Sequence, residues 1–391
     1  MLAGASRAQA QSGRELNVVP LAGGDSDVGI GGGVVGDWAA LAPGRPGFKQ
    51  RLELQAFITF KLQDGKQLVS PFQDYSLEEI IPHLGPAGRL RLDARIAYTD
   101  ETTLKYTGIG NASPPLASNL PDTADEYGRL HPTASLEVRT RLRGVFYLLG
   151  GVNLTYNRLK VPPGTILAAD QQMGSPEVRA ILGGFAPHLV ALVTAEAQLD
   201  TRDDEIVTRN GQFHTLRFRY SPGYGGELPY QYQRLTLTTR LYRSAVGGRL
   251  TVRWRGVGDV LWGSPPFYEL ARFDETAAIG GVKAVRGIPA QRYYGKVKLF
   301  QNLEVSAAIW TFRLFSKQFT AGPAVFFDAG RTWTELAHAH PELDGTGLGI
   351  KYGIGGGLRV QEGKTFIVRA DLAWSPDATP IGAYFAAGEI F

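Results

Sequence analysis

Arg51-Leu52-Glu53-Leu54-Gln55-Ala56-Phe57-Ile58-Thr59-Phe60-Lys61-Leu62 puts an apolar residue at every even position, with Phe57 the one exception among the polar residues between them. Successive side chains of an extended chain point to opposite faces, so this stretch has one apolar and one polar face. The same period of two recurs. Leu90, Leu92, Ala94, Ile96 and Tyr98 alternate with Arg91, Asp93 and Arg95. Leu136, Val138 and Leu142 alternate with Glu137, Arg139, Arg141 and Arg143, and Leu216, Phe218 and Tyr220 with Arg217 and Arg219. Near the end, Phe366, Val368, Ala370, Leu372 and Trp374 alternate with Arg369 and Asp371. A soluble sandwich would show such a face to bulk water and draw more on Thr, Ser and Lys. Arginine and carboxylate fit a lumen in which charges pair across strands while the other face meets lipid.

Turn chemistry divides the chain into sixteen strands, near 15–22, 27–38, 49–62, 66–75, 88–99, 129–142, 144–158, 187–199, 211–222, 231–245, 248–258, 295–312, 318–331, 347–361, 364–375 and 381–391. An even count lets an antiparallel barrel close with both ends on one side. The longest connections, 100–128, 159–186, 259–294 and 332–346, all follow odd-numbered strands. Short turns such as Arg143-Gly144, Gly247 and Glu362-Gly363 follow even-numbered ones. Long loops outside and short turns inside are the asymmetry of an outer-membrane barrel with a periplasmic N-terminus. The expected fold is therefore all-β, a sixteen-stranded antiparallel transmembrane barrel.

Composition agrees. The chain has 391 residues, 49 glycines, 6 Trp, 16 Tyr and 19 Phe, which suits tight turns and interfacial girdles. Mean hydropathy is −0.12, too polar for a helical membrane bundle, and no run of about 18 apolar residues exists. A barrel remains open because its strands are only half apolar. No cysteine is present, so there is no disulfide framework and no thiolate metal site. A formal net charge of +4 is too mild and too dispersed for nucleic acid. Ala8-Gln9-Ala10 followed by Gln11 has the form of a signal-peptidase site without its upstream apolar region. Residues 1–14 are therefore expected to be a signal-peptide remnant or a disordered N-terminus, and 15–391 the barrel domain.

Two short motifs carry more. Ala284-Val285-Arg286-Gly287 lies in the Gly-rich sixth long connection, after Gly280-Gly281. Phe326-Phe327-Asp328-Ala329-Gly330 ends a strand. A buried arginine and a buried acid each need a partner in a dry lumen, so the two form a natural ion pair. These motifs resemble the VRG loop motif and the F-x-D-x-G strand motif of the BamA/TamA superfamily of outer-membrane barrels. That superfamily builds the pores of outer-membrane protein insertases and two-partner secretion exporters. The resemblance implies that the long sixth extracellular loop folds back into the lumen and that Arg286 pairs with acids on the wall. By alternation Lys298, Phe300, Asn302, Glu304 and Ser306 share one face of the twelfth strand. The same alternation turns Phe326, Asp328 and Gly330 to the lumen and Val325, Phe327 and Ala329 to lipid. Arg286, Glu304 and Asp328 are thus the expected lumen cluster, since a guanidinium can take two carboxylates at once. Gly280, Gly281, Val285 and Gly287 form its loop motif, with Phe326 and Gly330 its strand motif. Ile288 stands where the superfamily usually has an aromatic. Phe385, Gly388 and Phe391 resemble the C-terminal signal read by barrel-assembly machinery.

Asp200-Thr201-Arg202-Asp203 and Tyr106-Thr107-Gly108-Ile109-Gly110-Asn111 also resemble superfamily segments, and both are read as turn formers. His338-Ala339-His340 with Glu335 and Glu342 reads as a solvated polar loop, so no metal is expected. Gly29 to Gly33 lacks the following helix of a nucleotide-binding loop. No G-x-S-x-G, H-E-x-x-H or phosphate-loop motif occurs, so neither enzymatic activity nor a cofactor is expected. Superfamily members that insert or export proteins carry POTRA modules ahead of the barrel, whereas about fourteen residues precede the first strand here. The expectation is a stand-alone barrel of a Gram-negative outer membrane, assisting outer-membrane protein assembly or translocation. Its expected partners are outer-membrane lipid, the barrel-assembly machinery during insertion, and a protein or lipid substrate of unknown identity. The alternative is a passive pore or an anchoring barrel for a lost N-terminal passenger.

Overall fold

The computed structural model describes residues 13–41, 48–63, 65, 67–85, 88–205, 207–226, 228–273, 276–277, 279–314, 317–363, 366–388 and 391. Sixteen antiparallel strands close into a barrel. They are β1 Arg14–Asp25, β2 Gly29–Leu41, β3 Phe48–Gln63, β4 in two segments (Gln67–Val69 and Phe72–Leu84), β5 Leu90–Lys105 and β6 in two segments (Glu126–Leu130 and Thr133–Arg143). Then come β7 Phe146–Lys160, β8 His188–Asp200, β9 Gly211–Tyr224, β10 Leu228–Ala245 and β11 Leu250–Gly263. The last are β12 in two segments (Val297–Ala307 and Trp310–Leu314), β13 Lys317–Trp333, β14 Lys351–Glu362, β15 Phe366–Ser375 and β16 Ala378–Ala387. Closure pairs each strand with a neighbour on both sides, most sparsely between β1 and β16, as lipid demands where an orphaned N–H or C=O is costly.

Several boundaries differ from the sequence reading. β4 runs to Leu84, well past 75, because Glu78-Glu79 and Ile80-Ile81 break the period of two without breaking the strand. Ser70-Pro71 interrupts β4 and His131-Pro132 interrupts β6, as expected of a residue with no N–H to give the ladder. β16 starts at Ala378 and ends at Ala387, where Gly388 turns to φ 80. Phe385 lies on β16 with an exposed side chain paired opposite Gly24, and Phe391 lies beyond the strand. Residues 1–12 and Glu389 lie outside the described residues.

Alternation sorts the wall. Leu54, Ile96, Leu136, Leu216, Leu299 and Leu372 point outward and are exposed, while Asp74, Arg219, Arg234, Asp259 and Glu304 point inward and are buried. The long connections, loop 3 (106–125), loop 4 (161–187), loop 6 (264–296) and loop 7 (334–350), all emerge at one rim. Loop 4 carries helices α1 Ile166–Met173 and α2 Pro176–Leu182, and loop 7 carries α3 Pro341–Asp344. Tyr106, Tyr127, Leu167, Val178, Phe267, Tyr268 and Tyr294 pack together as an apolar lid over that rim, with Leu343 against them.

The closing seam is short. Among the described residues β1 pairs with β16 only at Gly24–Phe385 and Asp25–Tyr384, extended by the Ser26 N–H to the Ala383 carbonyl at 3.0 Å. On the other side of β16, β15 pairs from Val368–Ala387 to Ser375–Ala378.

Candidate functional site

Loop 6 descends into the barrel, and its backbone conformation explains the glycines. Gly280, Gly281 and Gly287 have φ of 111°, 87° and 92°, where a side chain is strained. The tip closes on itself through Gly281 N–H to the Ile288 carbonyl at 2.8 Å. Ala284, Val285 and Ile288 are fully buried, packed with Val257, Ile279, Tyr293 and Phe300. Ile288 therefore fills the loop-tip packing position without an aromatic ring.

The wall that receives the tip is made of missing side chains. On the inner face of β14, a Cβ at Gly353 would stand 1.8 Å from the Arg286 carbonyl. One at Gly355 would meet the Phe326 ring at 2.4 Å, and one at Gly357 would meet Asp371 Oδ1 at 2.2 Å. Gly330 on β13 does the same for Ile279 and Phe300. A strand interior pays for glycine in stability, and here the glycines admit a loop.

Arg286 is fully buried at the centre. Its Nε donates to Asp328 Oδ2 at 2.7 Å and its Nη2 to Asp328 Oδ1 at 3.1 Å, a bidentate pair. The Arg286 backbone N–H also reaches Asp328 Oδ2 at 3.2 Å. Nη1 donates to Glu304 Oε2 at 3.3 Å and to Asp371 Oδ2 at 3.2 Å. The Phe326 ring lies under the guanidinium, 3.3 Å from its centroid, adding a desolvated cation–π contact. The structure thus brings Arg286, Glu304, Asp328 and Phe326 together, with Gly280, Gly281, Val285, Gly287 and Gly330 shaping the approach.

Three members were not singled out from sequence. Asp371 and Arg369 come from β15 and Arg359 from β14. Arg359 Nη2 donates to Glu304 Oε2 at 2.5 Å and its Nη1 to Asp371 Oδ1 at 2.6 Å, while Arg369 Nη1 reaches Asp371 Oδ2 at 3.1 Å. The alternation of 366–374 had already put Arg369 and Asp371 on the polar face. What it lacked was the register bringing β15 beside β14 and opposite the loop.

A second cluster holds the base of loop 6. Arg234 Nη1 donates to Glu269 at 2.7 Å, Lys298 pairs with Asp259 at 2.9 Å, and Arg272 pairs with Glu101 at 3.0 Å. His131 Nε2 lies 2.8 Å from the same Glu101. Two polar networks and one apolar cluster therefore hold loop 6 against inward-facing wall residues. A cavity of about 330 Å³ remains between it and the β4–β9 wall. A second, of about 660 Å³, opens at the rim beside the seam, lined by Asp27, Lys61, Ile288, Arg292 and Tyr384 among others.

The loop also grips both seam strands. Gly287 N–H donates to Tyr384 Oη of β16 at 2.8 Å, and Ala290 N–H donates to Asp27 Oδ2 in the β1–β2 turn at 2.9 Å. Burial, then the neighbouring Asp25, push the Asp27 carboxyl up to about 7.

The segments read as turns divide. Asp200 to Asp203 is a turn, with Asp203 accepting the N–H groups of Arg209 and Asn210. Tyr106 to Asn111 is more than a turn. Tyr106 is buried in the lid and donates to Asp170 at 2.9 Å, and Asn111 ties β13 to loop 7 through Thr332 N–H and the Gly349 carbonyl. In loop 7, His338 is exposed with Glu335 at 3.8 Å, whereas His340 turns to Glu177 of loop 4.

Residues 88–391 match the model of the Omp85 superfamily domain. A search of the curated proteins found no match. Among solved structures, the chain resembles BamA from Haemophilus ducreyi lacking POTRA domains 1–3, at TM-score 0.62 and 12% identity, covering 97% of this chain and 70% of that one. It also resembles CdiB from Escherichia coli, at TM-score 0.58 and 15% identity, covering 97% of this chain and 64% of that one. CdiB from Acinetobacter baumannii gives TM-score 0.54 at 12% identity, covering 97% and 60%. The chain thus spans between about three fifths and seven tenths of these structures.

Proposed function

This chain belongs to the Omp85 superfamily, and we propose that it assists outer-membrane protein assembly or translocation by opening its barrel along the β1–β16 seam. It is an outer-membrane barrel of a Gram-negative bacterium. The observation that carries the reading is the seam, where pairing among the described residues is limited to Gly24–Phe385, Asp25–Tyr384 and the Ser26–Ala383 hydrogen bond. Among the described residues, most of β1 has no ladder partner on that side, an edge suited to pair with an incoming extended segment by strand addition. The contacts of loop 6 with the inner wall support the same reading over a passive pore, because Arg286 is fully buried and bonded to Asp328, Glu304 and Asp371 on three wall strands.

The test is a disulfide lock with Ser26→Cys and Ala383→Cys across the seam, in protein reconstituted into liposomes. The reduced protein should speed insertion of a urea-denatured small barrel, read by heat-modifiable gel mobility. The oxidised protein should not. Equal rates in the two states, or no gain over protein-free liposomes, would overturn the proposal. A steady large conductance of the wild-type protein in planar bilayers would favour the passive pore instead.

A further inference from the structure

Two extracellular loops meet where metal-ligating atoms converge. Glu177 stands in the first turn of α2, whose start is fixed by Pro176 and by Ser175, whose hydroxyl accepts the Val178 N–H at 3.2 Å. His340 immediately precedes α3, which carries Glu342. His340 Nδ1 lies 2.7 Å from Glu177 Oε1 and 3.4 Å from Glu342 Oε1. All three ligand atoms lie within 4.8 Å of one another. Ligands held about 2.0–2.2 Å from a tetrahedral ion stand roughly 3.3–3.6 Å apart. The His340–Glu342 edge already has that length, and the His340–Glu177 edge needs to open by about 0.6–0.9 Å.

We propose that Glu177, His340 and Glu342 bind one divalent transition ion of the zinc type, with water completing the shell, and that the ion staples loop 4 to loop 7. One imidazole nitrogen with two carboxylates suits zinc, whereas calcium and magnesium take oxygen ligands alone. Two carboxylates facing a single nitrogen also leave negative charge that a dication neutralises. The ligands stand on anchored elements. Val178 and Leu182 of α2 are buried in the lid. Asp344 of α3 accepts the Thr334 N–H and hydroxyl, at 3.0 and 2.8 Å, and the Leu343 carbonyl accepts the Ala112 N–H at 2.8 Å. The other ring nitrogen, His340 Nε2, is buried without a hydrogen-bond partner, so the ring's orientation is set on its Nδ1 side. His338, two residues away and 76% exposed, is outside the site.

Glu177 and His340 are 163 positions apart, so sequence reading grouped His340 with its neighbours His338, Glu335 and Glu342 and left Glu177 out. The site exists only because the lid brings two loops together.

The test uses the full chain, without a histidine tag, in detergent micelles, titrated with zinc chloride by calorimetry and weighed by native mass spectrometry. One zinc per chain is expected. His340→Ala and Glu177→Gln should each weaken binding by about tenfold or more, with heat-modifiability unchanged. His338→Ala should bind as the wild type does. Zinc should slow protease cleavage in loop 4 of the wild type and not of His340→Ala. The proposal is overturned by absent stoichiometric zinc, by equal loss in His338→Ala, or by calcium chloride competing at equal concentration. Zinc binding without protection of loop 4 refutes the staple.

Discussion

Replacing Arg286 by alanine should release loop 6 without unfolding the barrel. Glu304 and Asp371 keep Arg359 at 2.5 and 2.6 Å, so the loss falls chiefly on Asp328, whose bidentate partner disappears. Removing one member of a buried pair costs about 3–5 kcal/mol if nothing moves. Withdrawing the tip would hydrate Asp328 but would also expose Val285 and Ile288, both 0% accessible. At about 1.5–3 kcal/mol per fully buried side chain, that exposure costs about 3–6 kcal/mol. The two penalties are comparable, so the variant should exchange between plugged and unplugged states. Trypsin cleavage within 264–294 should quicken and bilayer conductance should flicker, while the barrel stays heat-modifiable. Asp328→Asn should give the same phenotype. Because the residues share one network, Arg286→Ala with Asp328→Asn should cost about 1–3 kcal/mol less than the sum of the singles in urea unfolding. Full additivity, together with unchanged protease access, would refute the reasoning.

Gly353→Ala removes no charge, yet its Cβ would stand 1.8 Å from the Arg286 carbonyl, so it should raise trypsin access to loop 6 as Arg286→Ala does. Leu372 is 62% accessible on the outer face, so Leu372→Arg should destabilise the folded barrel by about 2–4 kcal/mol in vesicle unfolding, and Leu372→Phe by far less. Asp27 is raised in the folded state from its ordinary carboxylate value to about 7, so the folded turn binds the extra proton. The stability it contributes is full below about 4 and is lost as pH rises through about 7. Amide exchange at Ala290 should therefore be slower at pH 5.5 than at pH 8 after correction for intrinsic rates, and Asp27→Asn should flatten that difference.

Much of the barrel could be read directly because period-two alternation is local and lipid enforces it strand by strand. Leu52 to Leu62 announces both its conformation and its two faces without reference to any neighbour. Lengths of connections were equally local, and they placed the long loops at one rim. What depends on register was harder. Arg359, Arg369 and Asp371 lie on faces that alternation assigns correctly, but their meeting with Arg286 depends on how β14 and β15 align around a closed barrel. The strand-like run at 77–81 lost its period where Glu78-Glu79 adjoin Ile80-Ile81, and β4 was read short for that reason. Tyr106 to Asn111 has turn-forming residues, so its burial under the lid had no local signature. The meeting of Glu177 with His340 belongs to the same class, being a product of loop packing alone.

The grip of loop 6 on both seam strands has a thermodynamic corollary. Gly287 holds Tyr384 on one side of the closure and Ala290 holds Asp27 on the other. If departure of the loop tip weakens the β1–β16 closure by some factor, linkage requires that parting of the closure weaken the hold on the tip by the same factor. A polypeptide segment that captures the seam edge of β1 would then help to release the loop tip, although it never touches Arg286. Conversely, any ligand in the lumen that prefers the docked tip would act at a distance as an inhibitor of strand capture. Occupancy of the barrel and continuity of its wall become two readouts of a single equilibrium.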